Sequence, residues 1–301
     1  MNHLRFLRYV DEVARAGSVR QAAERLHVAP SAVIRRIQDL EDELGAPIFE
    51  RLPRGMRLTA AGELFVAYIR DRTAELERVR SNIEDLSGLR RGLVRLVCSQ
   101  ALAPVFLPHA VQAFREAHPA VEFEVNVADH LHALDVLRDF DSDLALVFNL
   151  QPEPDLQVLG SYEQKLVAWM HHTHPLVEKP SLRLRDCVGW PLALAGRGTA
   201  GREMLDRFLA RSSVRFAPAV QSNSFEFLRG FLHREQAVSF QISVGALTDG
   251  GELVAREIED HGFPRGKLLL AQLRGRRLPV AAYSFAEHLK RHLAEPAALL
   301  A

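Results

Sequence analysis

Leu7 to Glu63 reads LRYVDEVARAGSVRQAAERLHVAPSAVIRRIQDLEDELGAPIFERLPRGMRLTAAGE, and this stretch decides the fold of the N-terminal part. Leu4, Leu7, Val10 and Val13/Ala14 recur at helical spacing, and Gly17 stops that helix. Ser18 can cap a second, short helix whose apolar face is Val19, Ala22, Ala23 and Leu26. His27-Val28-Ala29 makes a tight turn. Pro30 suits the first position of a third helix with the buried stripe Val33, Ile37, Leu40 and Leu44, ended by Gly45. Two short helices joined by a tight turn, the second one longer, describe a helix-turn-helix, a spacing that other small helical bundles share.

Downstream, Pro53 and Gly55 separate two short apolar stretches, the pattern of a small hairpin or wing carrying Arg51, Arg54 and Arg57. Thr59 can cap the next helix. In it Leu76, Val79, Ile83 and Leu86 step by three, four and three residues, with Phe65 and Ile69 upstream. That row is either a dimerising coiled-coil seam or the inner face of a helix packed on its own domain. Gly88 to Gly92 reads as a hinge.

Beyond the hinge, strands and helices alternate. Strands are predicted over 93–98, 121–127, 144–148, 164–170, 191–195, 219–221 and 238–240, and helices over 103–117, 130–140, 201–210, 224–232 and 279–294. The order suggests βαβ units around a mostly parallel sheet.

Length and composition agree with several compact units: 301 residues exceed one comfortable core, and 48% apolar with 25% charged residues leaves little room for disorder. The 38 basic and 38 acidic side chains cancel, so an argument for nucleic acid must rest on local pattern. The charged N-terminus lacks the features of a secretory signal, no long uncharged apolar span follows, and two cysteines, Cys98 and Cys187, make no disulfide framework. A cytoplasmic location and no membrane contact are expected.

Gly17-Ser18, Ala22-Ala23, Leu26, Ile37, Leu40-Glu41, Leu44-Gly45, Phe49-Glu50-Arg51 and Leu58-Thr59 with Gly62 together resemble the DNA-binding region of LysR-type transcriptional regulators. Phe114, Pro119, Asp143-Leu144-Ala145 and His174-Pro175-Leu176 resemble the same family's effector domain more loosely. The resemblance implies a multidomain chain: an all-α winged helix-turn-helix with a linker helix, then an α/β two-lobed domain like the periplasmic binding proteins, with an effector cleft between its lobes. It also implies homodimers or homotetramers. Mapped onto this sequence, residues 1–58 form the DNA-binding domain and 59–92 the linker helix and hinge. The effector domain is 93–301, with lobe one about 93–163 and 271–301 and lobe two about 164–270.

With Val33, Ile37 and Leu40 facing the core, Ser31, Ile34, Arg35 and Gln38 are offered to the major groove of double-stranded DNA. Arg35 can donate twice to a guanine edge; as an alternative it is a solvated surface arginine. Family members commonly have Ser-Gln-Pro where this chain has Ala29-Pro30-Ser31, and serine where it has Ile34, so an altered operator preference is expected. Arg51, Arg54 and Arg57 would position the wing on phosphates or in a minor groove. In the cleft, Ser99, Gln100, His130 and Thr199 stand at strand ends and helix starts and are the candidate effector contacts, or else ordinary caps. Asp129 would repel an anion unless His130 or Arg197 offsets it, and Ala101 replaces the serine or threonine that family sites often carry.

Other chemistry finds little support. Gly196-Arg197-Gly198-Thr199-Ala200-Gly201 is a G-x-G-x-x-G, but Ala219-Val220-Gln221-Ser222 lacks the acidic residue a dinucleotide fingerprint requires. His171, His172 and His174 have no neighbouring carboxylate or cysteine in sequence, and adjacent histidines in an extended segment point apart. No metal, cofactor or catalytic activity is expected. The expected function is that of a sequence-specific DNA-binding regulator modulated by a small-molecule effector, with RNA polymerase a further candidate partner. The alternatives are a solute-binding protein or enzyme on the two-lobed fold, or a DNA-binding regulator whose cleft is vestigial, which Glu235-Gln236-Ala237 leaves open where relatives often carry a Gly-rich turn.

Overall fold

A computed structural model describes residues 2–52, 55–85, 91–151, 153–246 and 251–294. The chain divides into two compact units, residues 1–80 with 138–140, and 81–137 with 141–301.

The first unit contains helices α1 (Asn2–Ala16), α2 (Val19–Leu26) and α3 (Pro30–Leu44), the hairpin β1 (Phe49–Leu52) and β2 (Gly55–Leu58), and the start of the long α4 (Ala60–Asp85). Its core joins Val10 and Val13, Ala22 and Ala23, Val33 and Ile37 with Val66 and Ile69 of α4. The first turns of α4 thus belong to this core. Ser18 caps α2 by accepting from the Gln21 amide, and His27 ends α2 in a left-handed conformation. Leu44, expected in the buried stripe, is 47% exposed, because the last turn of α3 lies beyond Val33 and Ile37.

The turn after α3 explains several of the sequence hallmarks. One Glu41 carboxylate oxygen accepts from the amides of Ile48 (2.7 Å) and Phe49 (3.1 Å), fixing the chain as it enters β1. Thr59 donates to the Pro47 carbonyl at 2.6 Å and accepts from the Gly62 amide at 2.9 Å, capping α4. A Cβ on Gly62 would stand 2.0 Å from the Ile48 carbonyl oxygen, so only glycine allows this approach. The hairpin is antiparallel with Glu50 opposite Arg57, and Met56 donates to the Gly17 carbonyl at 2.9 Å.

The second unit has two lobes. The first holds β3 (Gly92–Cys98), α5 (Phe106–Ala117), β4 (Val121–Val127), α6 (His132–Arg138), β5 (Leu144–Phe148) and β6 (Leu156–Gln164). The chain then crosses to the second lobe: β7 (Leu166–His171), β8 (Ser181–Leu182), β9 (Leu192–Ala195), α7 (Ala200–Leu209), β10 (Val220–Ser222), α8 (Phe225–Leu232), β11 (Val238–Ile242) and β12 (Leu253–Ile258). It returns with β13 (Gly266–Leu273) and α9 (Val280–Ala294). The first sheet has the order β4-β3-β5-β13-β6 and the second β10-β9-β11-β7-β12-β8.

Each sheet is mostly parallel with one reversed strand: β3 runs parallel to β4 and β5, whereas β13 is antiparallel to β5 and β6. In the second sheet β7 lies antiparallel between β11 and β12. Of the two reversed strands, the sequence pattern predicts β7 but not β13. The return to the first lobe comes at Gly266, a few residues before the 271 expected. Two helices are shorter than their apolar pattern suggested: α5 begins only at Phe106, after a separate 3-10 turn over residues 100–102, and α6 spans only His132–Arg138. The aromatic residues Phe114, Phe123 and Phe285 lock α5, β4 and α9 together edge to face. No described helix is long and apolar enough to cross a membrane.

Candidate functional site

On α3 the side opposite Val33 and Ile37 is exposed: Ser31, Arg35 and Gln38 face solvent and Ile34 is 36% exposed. Arg35 has no hydrogen bond or ion pair among the described residues. Arg36, next in the chain, is committed to Asp39 (3.0 Å) and stacks 4.1 Å above the Phe6 ring, which marks it as structural. Ala29 gives α3 no side-chain cap and Ala29 to Ala32 are exposed, so the positive end of the helix dipole faces solvent. On the wing, Arg51 is exposed and without a partner among the described residues. Arg57 pairs across the hairpin with Glu50 at 2.5 Å. Arg54 lies outside the described residues. Along α4, Leu76 is half-buried while Val79 and Ile83 are exposed together with Leu64 and Tyr68. Leu86 lies outside the described residues.

Ser99, Gln100, His130 and Thr199 all line one cavity of about 450 Å3 between the lobes of the second unit. Each is also tied to the protein. The Ser99 hydroxyl accepts from the Phe148 amide (3.1 Å), and the Thr199 hydroxyl donates to the Gly196 carbonyl (3.0 Å). Gln100 reaches across the cleft, its carbonyl oxygen accepting from the Phe225 amide at the start of α8 (3.3 Å). His130 stands 3.8 Å from Glu203 of α7, on the other lobe.

Asp129 caps α6, accepting from the amides of Leu131 and His132 and from the His132 ring. Burial pushes its carboxyl up, but these hydrogen bonds outweigh that and hold it below the usual carboxylate range. Arg197 follows β9, next to Gly198 with its positive φ, and is a cation without a partner among the described residues. Sequence reasoning missed the apolar wall of Val127, Phe148, Phe225 and Ile242, because these come from four elements that only the fold brings together.

The G-x-G-x-x-G does lie between β9 and α7, but Gln221 occupies the region where the acid belongs and accepts from Arg202 at 3.1 Å. The histidines need a correction. The rings of His171 and His172 lie 4.3 Å apart rather than pointing apart, because β7 ends at His171 and the chain turns there. A carboxylate is also near, since His233 pairs with Glu252 at 3.1 Å beside His171. Even so, among the described residues no three such side chains are placed to hold a metal ion. Cys98 and Cys187 are buried free thiols, each pushed up to about 12 chiefly by burial.

Residues 4–63 match the family model "Bacterial regulatory helix-turn-helix protein, lysR family", and residues 87–294 match "LysR substrate binding domain". The chain is 33% identical over 205 residues, 67% of each chain, to the transcriptional dual regulator GltC of Bacillus subtilis. It is 24% identical over 283 residues to the transcriptional activator CmpR of Synechocystis sp., covering 93% of this chain and 92% of that one. Two solved structures share the fold. A full-length OxyR cysteine variant from Pseudomonas aeruginosa has a TM-score of 0.70 at 22% identity over 95% of this chain and 94% of its own. Full-length CbnR complexed with its target DNA has a TM-score of 0.62 at 20% identity, covering 96% and 99%. With both family models matched over nearly its whole length, the chain belongs to the LysR family: it is a DNA-binding transcriptional regulator with an effector-binding domain, not an enzyme.

Proposed function

We propose that this regulator reads its operator with α3 and is switched by a small molecule closing the lobes of its second unit. The observation that carries the DNA reading is Arg35, an exposed and uncommitted guanidinium on a helix whose opposite face is core. Arg35 donates to a guanine edge, Ile34 packs on a thymine methyl, and Ser31 and Gln38 bond neighbouring edges or phosphates. Arg51, Arg54 and Arg57 place the wing on the backbone. Residues 1–58, 59–92 and 93–301 divide the work of DNA binding, dimerisation and sensing.

The exposure of Val79 and Ile83 on α4 supports homodimers formed through Leu76, Val79, Ile83 and Leu86, paired into tetramers. Ser99, Gln100, His130 and Thr199 contact the effector in the cleft. Closure then changes the population of operator-binding geometries. The protein acts in the cytoplasm and meets RNA polymerase at the promoter.

A second reading, in which lobes close without ligand, is favoured by the cross-cleft hydrogen bond of the Phe225 amide to Gln100. The test is binding of the full chain to its own upstream DNA at several salt concentrations, beside Arg35→Ala. A protected site that weakens with salt and with the substitution supports the reading. Sequence-indifferent binding unaffected by Arg35→Ala refutes it.

A further inference from the structure

The polar groups of the cleft are unevenly matched. Gln100 and Gln241 have fixed amide orientations, because each side-chain oxygen accepts from a backbone N–H, that of Phe225 (3.3 Å) and that of Ile242 (3.0 Å). Each amide nitrogen is left without an acceptor among the described residues. Gln241 is only 2% exposed, and its nitrogen is not one of the sealed polar atoms of the described residues, so it opens on the cavity that Gln241 lines. A buried donor held open in this way calls for an acceptor. Ser99 accepts from the Phe148 amide, and its hydroxyl proton has no acceptor among the described residues. On the second lobe Thr199 gives α7 no side-chain cap, and the amides of Ala200 and Gly201 at the cavity wall have no bond among the described residues. Uncommitted Arg197 precedes them. So many open donors suit a carboxylate.

Asp129 breaks that pattern. It is held below the usual carboxylate range and is ionised at neutral pH. All three of its hydrogen bonds, from the Leu131 and His132 amides and the His132 ring, end on Oδ1. Oδ2 has no donor among the described residues, and neighbouring His130 faces Glu203 instead. An open carboxylate oxygen in the wall disfavours a purely anionic ligand and favours one that also carries a cation.

Position joins the two requirements. β3 and β4 are parallel neighbours with Cys98 opposite Val127, and the Ala128 amide donates to the Cys98 carbonyl at 3.0 Å. Ser99 and Gln100 therefore leave one strand end and Asp129 the next, with backbones about 4.8 Å apart. That spacing suits a carboxylate and an ammonium carried on the same carbon.

Taking the cleft as the effector site proposed above, we infer that its ligand is an α-amino acid with an apolar side chain, recognised as a zwitterion. The ammonium meets Asp129 Oδ2, the carboxylate meets Ser99, Gln100 and Gln241, and the side chain packs on Phe148, Phe225 and Ile242. Arg197 covers the carboxylate from the second lobe as the lobes close.

The test is isothermal titration of the full chain with leucine and phenylalanine, each beside the matched acid lacking the ammonium (isocaproate, hydrocinnamate) and the matched amine lacking the carboxylate (isopentylamine, phenethylamine). Asp129→Asn keeps the oxygen that caps α6 and removes the charge. The expected result is saturable binding of at least one amino acid, with its acid and amine each weaker by about tenfold or more, and a loss of about tenfold in Asp129→Asn that the acids do not share. Three results overturn the inference: neither amino acid binds saturably, an acid or amine binds as tightly as its amino acid, or Asp129→Asn binds the amino acid as the wild type does. Should Asp129→Asn fail to fold, the ligand series on the wild type decides alone. Operator footprints with and without ligand keep the two levels apart. An amino acid that binds and leaves the footprint unchanged sinks the switch and upholds the ligand class, whereas an acid that binds best and shifts the footprint sinks the ligand class and upholds the switch.

Discussion

Replacing Glu41 with alanine removes the acceptor of two amides at once, those of Ile48 and Phe49, at 2.7 and 3.1 Å. Both residues are buried, at 0% and 7% exposure, so water cannot readily take over. Leaving a buried amide without a partner costs about 1–3 kcal/mol, so the pair costs about 2–6 kcal/mol. A small domain is stable by only about 5–10 kcal/mol, so the substitution populates the unfolded state of the first unit appreciably. Glu41→Gln keeps one acceptor oxygen and loses only the charge assistance, about 2 kcal/mol or less. Hydrogen exchange read peptide by peptide in the full chain would show the loss confined to the first unit, largest from α3 to β2, with β3 to α9 unchanged. Operator affinity falls in the same order, alanine below glutamine below wild type. Wild-type exchange protection around Ile48 in Glu41→Ala would refute the reasoning.

Arg35→Ala should cost about 1–3 kcal/mol of operator binding and relax selectivity at one base pair, whereas Arg51→Ala should weaken all sequences alike and reduce the salt slope by about one; competition with scrambled DNA distinguishes them. Cys98 and Cys187, held near 12, should resist alkylation at pH 8 in the native protein, and labelling at free-thiol rates would contradict their burial. His288, 7% exposed, is lowered to about 4, mainly by burial and by His292, with its hydrogen bond to the Ala110 carbonyl opposing. Its folded value lies below the unfolded 6.5, so the folded state resists protonation. Stability is full above 6.5 and falls by roughly 3 kcal/mol as pH drops to about 4. Urea midpoints between pH 7 and 4.5 should therefore fall less steeply in His288→Gln; an equal slope would exclude His288 as the cause.

Much of the first unit was legible because its signals are local. Helical spacing, Ser18 and Thr59 as caps and the stops at Gly17 and Gly45 each act within a turn or two, and the structure places them where the pattern does. What α3 offers to solvent followed from the same periodicity. Long-range partners were not legible: that Arg57 pairs with Glu50 depends on hairpin register, and that Arg36 is tied to Phe6 depends on how α3 crosses α1. In the second unit, β5 reads plainly as LALVF because it is buried throughout. β13 carries a comparable apolar run, but its direction in the sheet is set by a chain that has left the lobe and come back, and no window contains both ends. The cleft residues at helix starts were named from local cues, whereas its apolar wall comes from four separate elements.

That departure and return has a consequence during synthesis. β5 ends at Phe148 and its antiparallel neighbour β13 begins at Gly266, so at ribosomal speeds the hydrophobic edge of β5 waits roughly 6–24 s for its partner. The second lobe's strands all emerge within that interval, so it can complete its sheet while the first lobe is still half built. A nascent chain stalled or cut before Gly266 would present an apolar strand paired on one edge only beside a finished lobe, a form suited to capture by chaperones or proteases. The supply of working regulator would then depend on uninterrupted translation of its second half.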